Sequence, residues 1–148
     1  INWAEQNLAI TTVGIGGISM GGDISVLAAG LDTRIKAVAA GISTPDWMRP
    51  LSFEPPGEAD ETAQALYDAY NPITHLDNYA HCPPISFQNG ADDCQVPGDA
   101  AVRFRLALIQ DYYKECKEKL AVNLYPETSH EFTEQSWDDS LAWFKRFL

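Results

Sequence analysis

The sequence predicts an α/β fold in which helices cover both faces of a parallel sheet. Strand-like and helix-like segments alternate along the 148 residues in the order β-α-β-α-β-α-β-α, which is typical of parallel strands joined by crossover helices. Hydrophobic residues make up 45% of the chain and charged residues 21%, as in chains that bury a core. These observations favour a single globular α/β unit.

The first elements are a helix tail, a strand and a helix. Residues 1–7 are interpreted as the end of a helix, and 11–16 form a short β-rich run bounded by glycines. Residues 20–29 contain helix formers and stop before Gly30, a residue that is common just after helix ends. The sequence therefore predicts a strand-to-helix connection close to residue 18.

The middle of the chain combines a strand with a long excursion. A small apolar strand is predicted over 35–40. Residues 41–60 are rich in Pro, Ser, Glu and Gly, which favours a loop, and 61–70 are predicted to form a helix. We interpret 41–70 as an excursion or cap-like segment of the same domain.

The last third returns to regular alternation after an irregular stretch over 71–84. Strands are predicted over 85–88 and 120–125, and helices over 98–119 and 134–147. One face of the longer helix carries large residues at steps of four: Phe104, Leu108 and Tyr112. In such sheets ligands collect beyond the carboxyl ends of the strands, so the loops that follow strands are where functional residues are expected.

Charge and cysteine content exclude several function classes. The formal net charge is −11, from 10 Lys and Arg against 21 Asp and Glu, so neither nucleic acid nor an anionic membrane is an expected partner. No apolar run approaches the ~18 residues of a membrane helix. The three cysteines form no CxxC pair, so no metal, cofactor or disulfide framework is expected, and we predict a cytoplasmic protein with reduced thiols.

The loop after the first strand carries the clearest motif, Gly17-x-Ser19-x-Gly21. A sharp turn from strand to helix holds such a serine in a strained conformation with its hydroxyl clear of the backbone. The N–H of Met20, at the start of the helix, can then face a developing oxyanion. A tight turn without chemistry is the alternative interpretation.

Two other glycine motifs do not fit this loop. A dinucleotide-binding GxGxxG that starts at Gly14 requires glycine where Ser19 stands. A P-loop requires lysine after its last glycine, but Asp23 follows Gly22. The context therefore favours a serine nucleophile over a phosphate cradle.

A nucleophilic serine needs a base, and the base needs an acid that orients it. Asp92 and Asp93 follow the third strand, and His130 follows the fourth, so all are expected at the same edge of the sheet as Ser19. His75 and His81 lie in the irregular stretch and are interpreted as surface polar residues. Capping or turn roles are the structural alternatives for the aspartates and for His130.

At this point the sequence resembles the α/β-hydrolase family, most closely its prolyl-oligopeptidase-like and dienelactone-hydrolase-like serine esterases. Residues 17–22 resemble the GxSMGG elbow, 89–97 the HGxxDxxVP segment that carries the acid, and 125–132 the loop with the catalytic histidine. Aligning Gly90 and Val96 with that second segment places the family's acid on Asp93 rather than on Asp92.

The resemblance implies a Ser19, His130 and Asp93 triad that cleaves a small-molecule carboxylic ester through an acyl-enzyme, without a cofactor or metal. It also implies that Trp47 and Met48, in the segment after the second strand, line a substrate pocket; ordinary packing under a long loop is the alternative. Peptidase and thioesterase activities stay open, as does a non-catalytic hydrolase-like binding module.

The resemblance further implies that the chain is the C-terminal half of a hydrolase domain, with the N-terminal strands missing. The loop that supplies the second oxyanion donor in the family precedes the elbow strand, so we expect the chain alone to be weakly active or inactive. Strand 11–16 then becomes an exposed apolar edge, which predicts a homodimer through that edge.

Overall fold

A computed structural model describes residues 1–54 and 56–148; Pro55, within the predicted excursion, lies outside the described residues. The helices and strands, in chain order, are α1 (Asn2–Asn7), β1 (Val13–Ile18), α2 (Met20–Leu31), β2 (Ile35–Gly41), α3 (Glu61–Tyr70), β3 (Ile85–Gly90), α4 (Asp99–Gln110), β4 (Leu120–Tyr125) and α5 (Glu134–Phe147). Short 3₁₀ turns at Pro72–Thr74, Leu76–Tyr79 and Lys117–Lys119 complete the path.

The four strands form one parallel sheet in the order β1-β2-β3-β4. Ile15 pairs with Val38, Val38 with Ile85, and Ile85 with Leu120, so the register continues across the sheet. Because every strand runs in the same direction, all carboxyl ends meet at one edge. The predicted α/β architecture with a parallel sheet is confirmed.

Helices cover both faces of this sheet, as predicted. A Cβ atom placed on Gly16 would contact the ring of Phe144 in α5, whereas one on Gly17 would collide with Gly21 in α2. Neighbouring residues of a strand point to opposite faces, so α2 and α5 lie on opposite sides. On the α2 side, Phe104 of α4 packs edge-on against Phe87 of β3 at 6.1 Å between ring centroids.

Two predicted helix ends are wrong for physical reasons. Helix α2 continues through Gly30 to Leu31. A Cβ at position 30 would lie 2.9 Å from the ring of Tyr79, so this glycine permits close packing and does not end the helix. Helix α4 ends at Gln110, not at residue 119. Beyond it, Tyr113 is fully buried and donates its hydroxyl to the carbonyl of Pro83 at 2.6 Å.

The remaining elements follow the prediction closely. Strand β1 lies two residues later than the predicted 11–16, so the glycine-rich segment is divided between β1 and α2 and the turn is reduced to Ser19. Helices α3 and α5 and strand β4 have their predicted bounds. Among the described residues, no helix is long and apolar enough to cross a bilayer.

Candidate active site

Ser19 occupies the single-residue turn between β1 and α2. Its backbone has φ 54° and ψ −123°, a left-handed φ that is strained for a residue with a side chain. The Ser19 N–H donates to the carbonyl of Gly41 at 2.8 Å, which ties the turn to the end of β2. The predicted strained turn is therefore present at this serine.

Two of the neighbouring glycines are required by close packing. A Cβ on Gly17 would lie 2.3 Å from the backbone of Gly21, and one on Gly22 would lie 2.5 Å from Cβ of Ser43. A Cβ on Gly21 would meet nothing within 4 Å. Crowding thus explains the first and last of these three glycines and not the middle one.

Asp93, rather than Asp92, contacts the histidine. Its Oδ2 accepts a hydrogen bond from Nδ1 of His130 at 2.8 Å, and its Oδ1 accepts the N–H groups of Gln95 at 2.9 Å and Val96 at 2.8 Å. The side chain of Asp93 is fully buried, and both of its oxygens act as acceptors, as an ionised carboxylate requires. Asp92 is exposed.

His130 lies between the acid and the serine. Because its Nδ1 donates to Asp93, its Nε2 presents a lone pair, and that atom lies 3.4 Å from Oγ of Ser19. This is a long hydrogen bond of the kind that tightens when a substrate binds. Three residues from three separate loops are thus in sequential contact at the carboxyl edge.

The loops that carry the acid and the histidine are fastened together. The N–H of Asp92 donates to the carbonyl of Thr128 at 2.9 Å, and a Cβ on Gly90 would lie 2.3 Å from the carbonyls of Thr128 and Ser129. Glu127, at the entry to the histidine loop, has a φ of 54°. Glycine at position 90 therefore permits the approach that brings His130 to Asp93.

The other predicted site residues lie around this core. Met20 is the first residue of α2, and the first N–H groups of a helix have no partner within it, so this donor is available next to Ser19. Met48 is 50% exposed. Trp47 is partly buried, and its backbone N–H donates to Oδ1 of Asn71 at 3.0 Å.

The two remaining histidines take no part in the cluster. Nε2 of His75 lies 2.7 Å from the carbonyl of Asp68, and Nε2 of His81 lies 3.0 Å from the carbonyl of Ala29. His75 is half-buried and His81 is exposed, and both side chains bond to backbone, in agreement with the surface polar role expected for them.

Sequence reasoning missed a buried charge next to the serine. Asp23, one helical turn after Ser19, is 6% exposed and forms an ion pair with Arg49 at 3.3 Å. The available signal was an acidic side chain in the first turn of a helix whose start is otherwise small and apolar. Its burial could not be foreseen, because the loop that covers it comes from beyond β2.

The chain resembles known proteins in both sequence and fold. The sequence matches the prolyl oligopeptidase family over residues 3–148. No curated protein gives a significant match to the chain. Three solved structures share the α/β-hydrolase fold, all at low sequence identity.

The first of these is TT1662 from Thermus thermophilus, with a TM-score of 0.77 and 23% identity, over 97% of this chain and 57% of that one. A puromycin-hydrolyzing peptidase of Mycobacterium tuberculosis gives a TM-score of 0.73 and 22% identity, over 99% of this chain and 24% of that one. A truncated carbohydrate esterase from gut microbiota gives a TM-score of 0.58 and 17% identity, over 98% of this chain and 62% of that one. The chain thus spans between a quarter and two thirds of these proteins.

The family match extends over nearly all of the chain, and it includes the serine turn, the acid loop and the histidine loop. The chain belongs to the prolyl oligopeptidase family.

Proposed function

We propose that Ser19, His130 and Asp93 form the catalytic triad of a serine hydrolase that cleaves carboxylic esters. The continuous contact from Oγ of Ser19 to Nε2 of His130, at 3.4 Å, and from Nδ1 of His130 to Oδ2 of Asp93, at 2.8 Å, carries this proposal. The chain order of serine, aspartate and histidine is that of α/β-hydrolases.

In the first step Nε2 of His130 takes the proton from Ser19 while Oγ attacks the ester carbonyl carbon. The carbonyl π electrons move to oxygen, and the N–H of Met20 stabilises the resulting oxyanion. Collapse of this intermediate breaks the bond to the alcohol oxygen, which takes the proton from His130 as it leaves. The buried carboxylate of Asp93 stabilises the imidazolium throughout.

In the second step water replaces the alcohol. His130 takes a proton from the water, whose oxygen attacks the acyl-enzyme, and collapse returns the proton to Ser19 and releases the acid. Met20 supplies an oxyanion donor, and removal of one such donor typically costs ~10²–10³ in rate. Covalent labelling of Ser19 is the most direct assay, because it reports activation of the nucleophile whatever the substrate is.

The substrate is expected to contact the loop after β2. Met48 exposes half of its surface there, and we propose that it contacts an apolar part of the substrate while Trp47 supports it from behind. The loop also presents Leu51 and Phe53, which are 67% and 65% exposed. An apolar group next to the scissile bond fits this surface.

Peptide hydrolysis is the second candidate, because the family description and one solved structure name peptidases. A set of substrates with one acyl group, joined as ester, thioester or anilide, separates these activities. We expect the ester to be cleaved and the anilide not. Comparable cleavage of the anilide would assign the chain to peptide or amide substrates.

A non-catalytic binding module remains the alternative of another class. A fluorophosphonate reacts covalently only with an activated serine, so it separates the two. Labelling of Ser19 that is lost in His130→Ala supports the hydrolase, and an unlabelled chain supports the binding module.

A further inference from the structure

A buried carboxylate that the triad does not use lies one turn along the nucleophile helix. The N–H of Asp23 donates to the carbonyl of Ser19 at 3.1 Å, which fixes its place relative to the serine. Its Oδ1 accepts the N–H of Thr44 at 2.7 Å, and its Oδ2 accepts Nη2 of Arg49 at 3.3 Å. Both oxygens are acceptors, so the group is a carboxylate.

The partners of Asp23 belong to the loop over 43–53. The far end of this loop is fastened to the acid loop, since Ser52 donates its hydroxyl to the carbonyl of Gln95 at 2.8 Å and Phe53 donates its N–H to that of Cys94 at 3.0 Å. The loop therefore spans from the helix of the nucleophile to the loop of the acid. It carries the exposed Met48, Leu51 and Phe53.

The backbone of this loop is under strain at the ion pair. Arg49 has a φ of 45°, a left-handed conformation that is uncommon for a residue with a long side chain and is held only by surrounding contacts. Its side chain is 26% exposed, and its guanidinium pairs with Asp23. Among the described residues this ion pair is the one side-chain hydrogen bond of Arg49.

Burial of the charged form of Asp23 carries a free-energy cost. Burial raises the pKa of Asp23, and the Thr44 N–H, Arg49 and His130 offset this only in part. A raised pKa in the folded state means that the ionised form opposes folding, and that this cost disappears as the pH falls through that pKa.

We propose that Asp23, through its ion pair with Arg49, is a positioning residue that holds the 43–53 loop against the nucleophile helix, so that the apolar side chains of the loop bind an apolar group of the substrate. This inference rests on the proposed function for its substrate, but its structural part does not.

Hydrogen exchange of the backbone amides over 44–53 tests the structural part. We expect exchange at least about tenfold faster in Asp23→Asn and in Arg49→Met, and near wild type in Arg49→Lys, which keeps the charge. Asp32→Asn is the matched control, because Asp32 caps the other end of α2 and pairs with Arg34 at 2.6 Å. Unchanged exchange over 44–53 in both Asp23→Asn and Arg49→Met would overturn the proposal.

Labelling kinetics with an ethyl and an octyl fluorophosphonate test the binding part. In Asp23→Asn we expect KI for the octyl probe to rise about tenfold, because about one or two methylene groups lose their contact with the loop. The value of kinact should stay within twofold of wild type, and labelling by the ethyl probe should not change. Equal loss of kinact with both probes, or unchanged KI for the octyl probe, contradicts the proposal. If neither probe labels the wild-type chain, the proposed triad is contradicted. The hydrogen-exchange measurements then test separately whether Asp23 positions the loop.

Discussion

Nδ1 of His130 donates to Oδ2 of Asp93 at 2.8 Å, and neither oxygen of that carboxylate contacts solvent. The two residues come from loops that follow adjacent strands, and Gly90 allows those loops to touch. This contact favours Asp93 over the neighbouring Asp92 as the acid of the proposed triad.

Replacement of that acid tests the assignment. We predict that Asp93→Asn lowers the rate of labelling at Ser19 by about 10²–10⁴, because the amide no longer fixes the tautomer of His130 or stabilises its cation. Asp92→Asn is the matched control, since its side chain is exposed, and its labelling rate should stay within a factor of about three. Comparable losses in both variants would contradict the assignment.

The crowding at Gly90 predicts a clear contrast between two glycines. Gly90→Ala places a methyl group 2.3 Å from two carbonyl oxygens, so we expect a loss of about 2 kcal/mol or more in the free energy of unfolding. Gly21→Ala adds its methyl group to open space within a helix and should be neutral or stabilising by up to about 1 kcal/mol. Urea unfolding of both variants measures this, and a stable Gly90→Ala would show that the loops can separate.

The buried carboxylate of Asp23 predicts a pH dependence of stability. Its pKa is raised in the folded state, chiefly by burial, so the folded chain binds this proton more tightly than the unfolded chain does. Its contribution therefore favours folding at low pH and is lost as the pH rises through the raised pKa.

Asp23→Asn removes the titrating group, so the free energy of unfolding of the variant does not lose this contribution as the pH rises. The free energy of unfolding of the variant, relative to wild type, should accordingly rise between pH 4 and pH 7. Thermal melts across that range provide the measurement. A relative stability that stays constant or falls as the pH rises would contradict the raised pKa of Asp23.

The sequence identified most of this architecture because alternation of apolar segments and glycine punctuation are local signals. Ser19, the neighbouring pair Asp92 and Asp93, and His130 could be picked out for the same reason, since each follows a predicted strand. The family resemblance then favoured Asp93 over Asp92. Contacts between distant segments could not be inferred from the sequence. Gly30 resembled a residue that ends a helix, whereas close packing against the ring of Tyr79 explains the glycine at this position. The early end of α4 likewise depends on Tyr113 reaching the carbonyl of Pro83, and the burial of Asp23 depends on the loop from beyond β2.

The open side of β1 predicts self-association. In the described chain this strand pairs with β2 alone, and an apolar groove of about 520 Å³ runs beside it between the strand and α5, with Ile18 and Trp137 exposed. We propose that a second copy of the chain pairs with this edge, as the sequence predicted. Sedimentation velocity should show dimers at high concentration, together with slower amide exchange over 13–18. A monomer with rapid exchange at every concentration would contradict this.

The most direct test of the account is whether Ser19 is an activated nucleophile. Intact-mass and peptide mass spectrometry after treatment with a fluorophosphonate should show one adduct, on Ser19. It should be lost in Ser19→Ala and reduced by about 10²-fold or more in His130→Ala, while His81→Ala labels like wild type. An unlabelled Ser19, or labelling that survives in His130→Ala, would contradict the proposed triad.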